Sequence, residues 1–187
     1  MTTDAGPIKL LSGGTITIAS SVTSNGDMLF QTTAGDLNVN AVLDSNGGAI
    51  TLDTTGNISQ TANIITDGGS FYAASTRLVM SATSGTNAGS GNAILDIRGD
   101  IDLGSIVARN VAIQSLGSIS DNNGLTLNVT ASSLQIRATG SIGGNDQGNG
   151  SPNTNGNAID TRVDILATSS GLGTYIQEFD SVIVGAV

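Results

Sequence analysis

One triplet recurs at a constant spacing in the first third of the chain: Gly14-Thr15-Ile16, Gly35-Asp36-Leu37 and Gly56-Asn57-Ile58. A turn signal keeps the same spacing, at Asn25-Gly26, Asn46-Gly47 and Asp67-Gly68. One more equal step brings the triplet to Arg77-Leu78-Val79, and it then returns at unequal steps, at Gly99-Asp100-Ile101, Gly117-Ser118-Ile119 and Gly140-Ser141-Ile142. Two landmarks in one register indicate a repeat architecture of about seven units, each of about 21 residues.

Apolar and polar residues alternate within each unit. The triplet opens a pair such as Ile16/Ile18, and a second pair such as Ile50/Leu52 precedes the next triplet. A single apolar residue such as Val22 lies between them. Alternation with a period of two predicts short strands that bury one face. Three such strands per unit predict an all-β fold, a right-handed parallel β-helix (β-solenoid) of about seven coils stacked about 4.8 Å apart. The right hand follows from the usual chirality of parallel crossovers. A β-sandwich is the alternative, but it does not explain a repeat that stays in register.

The repeat predicts a single domain over residues 1–187, with regular coils at about 14–142 and an irregular C-terminal part at 158–187. Two Gly- and Asn-rich stretches, 84–92 and 143–157, interrupt the period. We expect both to protrude as loop insertions, because they carry almost no apolar residues.

The composition excludes several classes of function. The chain has 187 residues, of which 26 are Gly, and it contains no His, Cys or Trp and a single Glu, Glu178. Most side chains that carry proton transfer, thiol chemistry or transition-metal ligation are therefore missing. The net charge of −9 leaves no basic stripe for a nucleic acid, so we expect no such partner. No apolar run reaches the roughly 18 residues that a membrane span requires.

Several coils resemble the repeats of a known bacterial family. The stretches GDLNVNA (35–41), GAITLDTTGNISQT (48–61) and GDIDLGSI (99–106) are similar to coils of filamentous-haemagglutinin-type exoproteins and of very large repetitive bacterial surface proteins. The resemblance covers residues 12–142. It implies an extracellular or cell-surface location, a role as stalk, adhesin or matrix component, and no catalytic residue. We therefore expect a non-catalytic structural stalk or adhesin segment of a large secreted or cell-surface protein.

Asp100 and Asp102 are the strongest candidates for catalysis. Two positions apart on one predicted strand, their carboxylates would lie about 6.5–7 Å apart, near the separation found in inverting glycosidases. The next copy of the triplet places Ser118 and Ser120 beside them on one side, and the preceding copy places the apolar Leu78 and Met80 on the other. A polysaccharide-degrading β-helix is accordingly the second alternative function.

Phe30 and Tyr72 occupy equivalent positions two coils apart, with Thr51 between them. If both rings point outward, about 9.6 Å apart, they could grip a glycan or another protein, together with Asn153 and Asn155 of the 143–157 stretch. If the strand is shifted by one residue, Phe30 belongs to the core instead. A carbohydrate-binding adhesive module is the first alternative function.

No cofactor is expected. Asp121, Asp146 and loop carbonyl groups leave a structural Ca²⁺ ion as an alternative, although Asp100-Ile-Asp102 lacks the acidic twelfth residue of an EF-hand. An open solenoid exposes two coil ends, so we expect contact with neighbouring repeats of the same polypeptide or end-to-end self-association. Residues 1–12 or 174–187 are the segments that would cover an end.

Overall fold

The computed structural model describes residues 2–3, 6–144 and 157–186. These residues form 24 strands that pair in parallel and wind into a β-solenoid of about eight turns. The predicted all-β parallel architecture is confirmed, with about one turn more than expected. Across the same ranges, no helix has the length and hydrophobicity that a membrane span requires.

The strands, numbered in chain order, stack into three ladders. The first contains β1 (Thr2–Thr3), β4 (Val22–Ser24), β7 (Leu43–Asp44), β10 (Ile64–Ile65), β13 (Gly85–Asn87), β16 (Ser105–Val107) and β23 (Ile176–Glu178). The second contains β2 (Ile8–Ser12), β5 (Met28–Thr32), β8 (Ile50–Thr54), β11 (Phe71–Ser75), β14 (Asn92–Ile97), β17 (Asn110–Ser115) and β24 (Ile183–Val184). The third contains β3 (Ile16–Ile18), β6 (Leu37–Val39), β9 (Asn57–Gln60), β12 (Arg77–Met80), β15 (Ile101–Leu103), β18 (Ile119–Asp121), β20 (Ser141–Ile142) and β22 (Gly173–Thr174). Two long strands, β19 (Val129–Ala138) and β21 (Ile159–Ser170), run through the first and second ladders.

Like residues stack on like residues along the core. Ile16 pairs with Leu37, and Leu37 pairs with Ile58, as the constant period predicts. The alternating side chains of these strands point inward, and Leu37 and Ile58 are completely buried. Each coil therefore packs its aliphatic face mainly against the coils above and below it, and stability arises from the stack rather than from any single turn.

A polar column lines the corner between the second and third ladders. Thr32 donates its hydroxyl to the carbonyl oxygen of Gly14 at 2.6 Å, and Thr54 does the same to Gly35 at 2.5 Å. Ser115 repeats the contact further along the stack, with the carbonyl of Gly99 at 2.7 Å. These buried hydroxyls satisfy carbonyl groups that the turning chain takes out of the ladders, because a buried polar group without a partner is costly.

At two places the pairing between neighbouring coils is shifted by one residue from the pairing that a constant 21-residue period predicts. In the second ladder Phe30 pairs with Leu52, one position beyond Thr51, so the predicted equivalence of Phe30 with Thr51 is wrong. In the third ladder Ile58 pairs with Leu78, one position short of Val79, so the predicted equivalence of Ile58 with Val79 is wrong. Burial explains both shifts, since each places an apolar side chain inside the solenoid rather than on its surface.

The stretch 84–92 does not protrude. Residues 85–87 form β13, which pairs with β10 on one side and β16 on the other. Thr86 occupies the core position between Ile64 and Ile106 and is 2% exposed. Its hydroxyl lies 3.3 Å from the side-chain carbonyl of the buried Gln60, so a polar pair replaces the usual aliphatic contact. A polar sequence thus completes the coil where an insertion was predicted.

The second predicted insertion, 143–157, lies largely outside the described residues. Its two ends meet where the amide of Gly144 donates to the carbonyl of Asn157 at 2.6 Å. At the N-terminal side β2 already belongs to the second ladder, so regular pairing begins before residue 14. At the other end, β21 to β24 continue the ladders through much of the segment predicted to be irregular.

Candidate functional site

The outer surface of the second ladder carries aromatic, aliphatic, amide and charged side chains around one groove. Alternation along β11, β14, β17 and β19 turns every second residue outward. These outward residues and adjacent backbone enclose a groove of about 230 Å³, which we call the Tyr72 groove. Its side chains are those of Tyr72, Ile94, Asp96, Ala112, Gln114, Gln135 and Arg137.

Strand pairing arranges the groove in two parallel rows. Tyr72 lies beside Ile94, and this row continues through Ala112 to Gln135. The second row runs from Asp96 through Gln114 to Arg137. One row therefore presents an aromatic and an aliphatic surface, while the other presents a carboxylate, an amide and a guanidinium. Successive side chains follow the inter-strand spacing of about 4.8 Å.

Tyr72 is half-buried among acidic neighbours. Burial raises the pKa of its hydroxyl above the usual value, and the carboxylates of Asp96 and Asp53 raise it further, while Arg98 acts in the opposite direction. The hydroxyl therefore stays protonated at neutral pH and keeps both its donor and its acceptor capacity. Asp53 is held in place by Gln31, whose amide nitrogen lies 2.7 Å from it.

A polar row extends the groove along the edge of the same face. The amide of Asn110 donates to Asn92 at 2.9 Å, and Ser133 donates to Asn110 at 2.8 Å. These residues line a second depression of about 390 Å³, which reaches Ile165 and shares Ile94 with the Tyr72 groove. Together the two depressions form a continuous surface over five coils, from β11 to β21. The sequence analysis did not predict this row of polar side chains. A signal for it was present, because Asn92 and Asn110 are separated by the same number of residues as Gly99 and Gly117, the glycines of two successive triplets.

The predicted pairing of two exposed rings is wrong for Phe30. Phe30 is 2% exposed and lies in the core between Leu10 and Leu52 of adjacent coils. Only Tyr72 of the predicted pair faces outward. Asn153 and Asn155, predicted to join the same site, lie outside the described residues, as does Asp146 of the calcium alternative. The step from Met28 to Ile50, one position longer than the period, is the signal that would have placed Phe30 correctly.

Asp100 and Asp102 are both engaged in contacts between coils. The Asp102 carboxylate lies 2.7 Å from the Arg77 guanidinium and accepts a hydrogen bond of 2.8 Å from Ser120. Asp100 accepts a hydrogen bond of 2.8 Å from the backbone amide of Ser118. The two serine neighbours are confirmed. The predicted neighbours Leu78 and Met80 are each off by one position, because the drift in register places Arg77 beside Asp100 and the apolar Val79 beside Asp102.

The described ranges contain no group of three or more His, Cys, Asp or Glu side chains close enough to hold a metal ion. Comparison of the chain with known protein families, with curated proteins and with solved structures finds no match.

Proposed function

We propose that this chain is a non-catalytic, rod-forming segment of a large bacterial secreted or cell-surface protein, in which it acts as a stalk. The observation that supports this role is the continuity of the three ladders, which carry pairing from β1 to β24. A load applied along the axis is shared by many backbone hydrogen bonds in parallel, so the stack resists bending and extension better than a chain of linked small domains. The similarity of residues 35–41, 48–61 and 99–106 to filamentous-haemagglutinin-type coils supports the extracellular setting.

Single-molecule stretching tests the load-bearing role. The chain contains no Cys, so one cysteine added at each terminus gives two unique attachment points. A stalk segment should resist extension up to a defined force and then lengthen in steps of about one coil each. A chain that extends smoothly at low force, without steps, would contradict a mechanical role.

A carbohydrate-binding adhesive module is a second candidate function, and the Tyr72 groove is the observation that favours it. An aromatic ring can pack on the apolar face of a sugar, while the amides of Gln114 and Gln135 and the charges of Asp96 and Arg137 can bond its hydroxyl groups. The extension towards Asn92 and Asn110 suits a linear polymer rather than a single sugar.

A glycan array compared between the natural chain and Tyr72→Ala tests this candidate. Loss of a bound glycan is expected, because the truncation removes the only aromatic ring that lines the groove. Tyr175→Ala is the matched control, since this second tyrosine is exposed but lies away from the groove. Equal binding by the natural chain and by both variants would exclude the groove as a glycan site.

The polysaccharide-degrading alternative depended on Asp100 and Asp102 acting as a free pair of carboxylates. Because Asp102 already holds Arg77 and Ser120, no specific observation favours this activity over the stalk. An assay of reducing-end release, repeated with Asp100→Asn, remains the direct test of it.

A further inference from the structure

Two carboxylates from different coils meet inside the C-terminal half of the solenoid. Asp160, near the start of β21, is completely buried, and neither of its carboxylate oxygens accepts a hydrogen bond from any residue that the structure describes. Asp121, at the end of β18, has one carboxylate oxygen that is likewise buried and without a hydrogen-bond partner among those residues. Three buried anionic oxygens without donors are an unusual cost, since buried charges are normally paired or bound to metals.

The Asn128 side chain lies next to both acids. It is surrounded by more hydrogen-bond acceptors than it has hydrogens to donate. Its amide nitrogen has four oxygens within 3.1 Å, from Leu103, Gly104, Asp121 and Asn123. An amide nitrogen carries only two hydrogens, so two of the four oxygens receive none from it. The side-chain oxygen of Asn128 in turn accepts the backbone amide of Asp160 at 2.8 Å. The cluster formed by Asp121, Asn123, Asn128 and Asp160, which we call the Asp160 cluster, therefore has a surplus of oxygen acceptors.

The negative charge of the Asp160 cluster, like its surplus of oxygen acceptors, favours a positively charged ligand. Burial raises the pKa of Asp160 to about 6, and the nearby Asp121 carboxylate contributes to the increase. Asp160 therefore lies beside a second acidic side chain. None of the salt bridges found in the described residues reaches either acid. A ligand that fits this place must bring positive charge and accept several oxygen ligands.

We propose that Asp121 and Asp160, with neutral oxygens around the Asn128 amide, bind a Ca²⁺ ion that ties successive coils together. Calcium takes six to eight oxygen ligands in a flexible geometry and readily uses carbonyl and amide oxygens beside carboxylates. Mg²⁺ demands a stricter octahedral arrangement and keeps several waters, and Zn²⁺ prefers nitrogen and sulfur ligands. The mixture of two carboxylates with neutral oxygens in a buried place therefore favours calcium.

The position of the cluster explains what such an ion would do. Asp121 ends β18, Asn128 leads into β19, and Asp160 lies on β21, which stacks on β19. Here the repeat is least regular, because residues 122–128 lie between β18 and β19 and the coil from Ile142 to Thr174 is much longer than its neighbours. Asp121 and Asn128 lie in the same turn, and Asp160 stacks on Asn128, so a bound ion would fasten this turn to the coil stacked on it, where constant spacing no longer does so.

Calcium titration of the EGTA-treated chain tests the proposal by calorimetry and by thermal unfolding. The melting temperature should rise by roughly 5–10 °C at a Ca²⁺ concentration of about one hundred times Kd. Asp160→Asn and Asp121→Asn should each weaken calcium binding by roughly tenfold or more, because each removes a charged ligand. Asp164→Asn is the matched control, since Asp164 lies on the same strand but is exposed, and it should bind calcium as the natural chain does.

Asp160→Asn should fold in EGTA at least as stably as the natural chain, because the amide keeps the shape and supplies donors to a cluster that lacks them. This separates loss of the ion from loss of the fold. The proposal is overturned if the natural chain shows neither heat nor a shift in melting temperature up to millimolar Ca²⁺. It is equally overturned if Asp160→Asn binds calcium undiminished, or if Mg²⁺ binds with equal affinity. Stabilisation by mild acid without any response to calcium would indicate a shared proton instead.

Discussion

Replacement of Gly69 by alanine is expected to destabilise the chain strongly, although the backbone angles of Gly69 are not the reason. Gly69 lies just before β11, directly above Gly48 of the coil below, and Gly91 lies above it in turn. A Cβ atom at Gly69 would lie closer than 3.0 Å to the backbone of Gly48, a separation that real Cβ atoms essentially never show. The positive φ angles of this corner belong to the preceding residues, 51° at Asp67 and 108° at Gly68. The penalty at Gly69 is therefore purely steric.

The magnitude follows from what must move. Neighbouring coils are about 4.8 Å apart, and a normal contact for the added methyl group would require them to separate locally by more than about 1 Å. Overpacking of this kind costs about 1–3 kcal/mol by itself. Separation also weakens the adjacent ladder bond, in which Ile50 donates to Ser70 at 3.0 Å, at a further cost of about 1 kcal/mol. A total of about 2–4 kcal/mol corresponds to a fall in melting temperature of roughly 4–16 °C for a chain of this size.

Thermal and urea unfolding followed by circular dichroism measure this effect, with Gly13→Ala as the control. A Cβ atom at Gly13 would have no atom within 4 Å and its φ is not in the left-handed region, so alanine there should be neutral or stabilising by up to about 1 kcal/mol. If Gly69→Ala melts within about 2 °C of the natural chain, the close contact of coils at this corner is refuted. Equal losses in both variants would show that a general glycine effect, rather than layer contact, is being measured.

Three further predictions address the core, the buried acid and the coil ends. Leu37→Ala should lower the free energy of unfolding by about 2–5 kcal/mol in urea titrations, because Leu37 is fully buried, whereas Leu172→Ala, 82% exposed, should leave it nearly unchanged. In calcium-free buffer the folded state holds the Asp160 proton with a pKa of about 6, against the ordinary value of 3.8. Stability should therefore fall as pH rises from about 4 to about 6, by at most about 3 kcal/mol, and Asp160→Asn should abolish the slope over that same range. Sedimentation velocity should reveal concentration-dependent association, since Ile183 and Val184 of the last coil are 69% and 74% exposed; a strict monomer at high concentration would contradict it.

The third ladder could be predicted from the sequence as far as Ile58, because its landmark and its core coincide there. The glycine of each triplet marks the corner, and the apolar residue two positions later is the one that stacks, so Ile16, Leu37 and Ile58 follow from the pattern alone. The first ladder shows the same agreement at Val22 and Leu43. Where consecutive coils have equal length, residues one period apart in the sequence pair with each other in the structure, so the period predicts the pairing correctly.

The second ladder could not be predicted residue by residue, because an Asn-Gly landmark does not mark which residue stacks. Gly48, not Gly47, lies above Gly26, and this single extra residue moved Phe30 from the predicted surface into the core. The core position at Thr86 was also missed, since a hydroxyl there is satisfied by Gln60, a contact that no hydrophobic pattern predicts. Period alone cannot distinguish an inward polar residue from a loop.

The Asp160 cluster was missed for a different reason. Asp121 and Asp160 are far apart in the sequence, and the long 143–157 stretch between them hides their relative register. Asp121 was noted as a potential ligand, but with Asp146 rather than Asp160 as its partner. Only the pairing of β19 with β21 shows that Asp160 follows Asn128 in the stack and comes within reach of Asp121. The proximity of Asp121 and Asp160 therefore follows from how the strands stack, and no short sequence motif predicts it.

The ladders tolerate large differences in coil length, and this bears on how such a rod can evolve and function. Along the third ladder, the coil from Ile101 to Ile119 is far shorter than the coil from Ile142 to Thr174, yet both keep parallel pairing. The strands on either side of the extra residues, β20 and β21, both stay paired in the ladders. Insertions can therefore add surface features without interrupting the hydrogen-bonded columns that would carry load. The Tyr72 groove differs from such insertions, because it is built on the ladder itself and would move rigidly with the rod. A ligand bound there would be held by the same layers that would transmit force in a stalk, so the proposed stalk role and an adhesive role do not exclude each other.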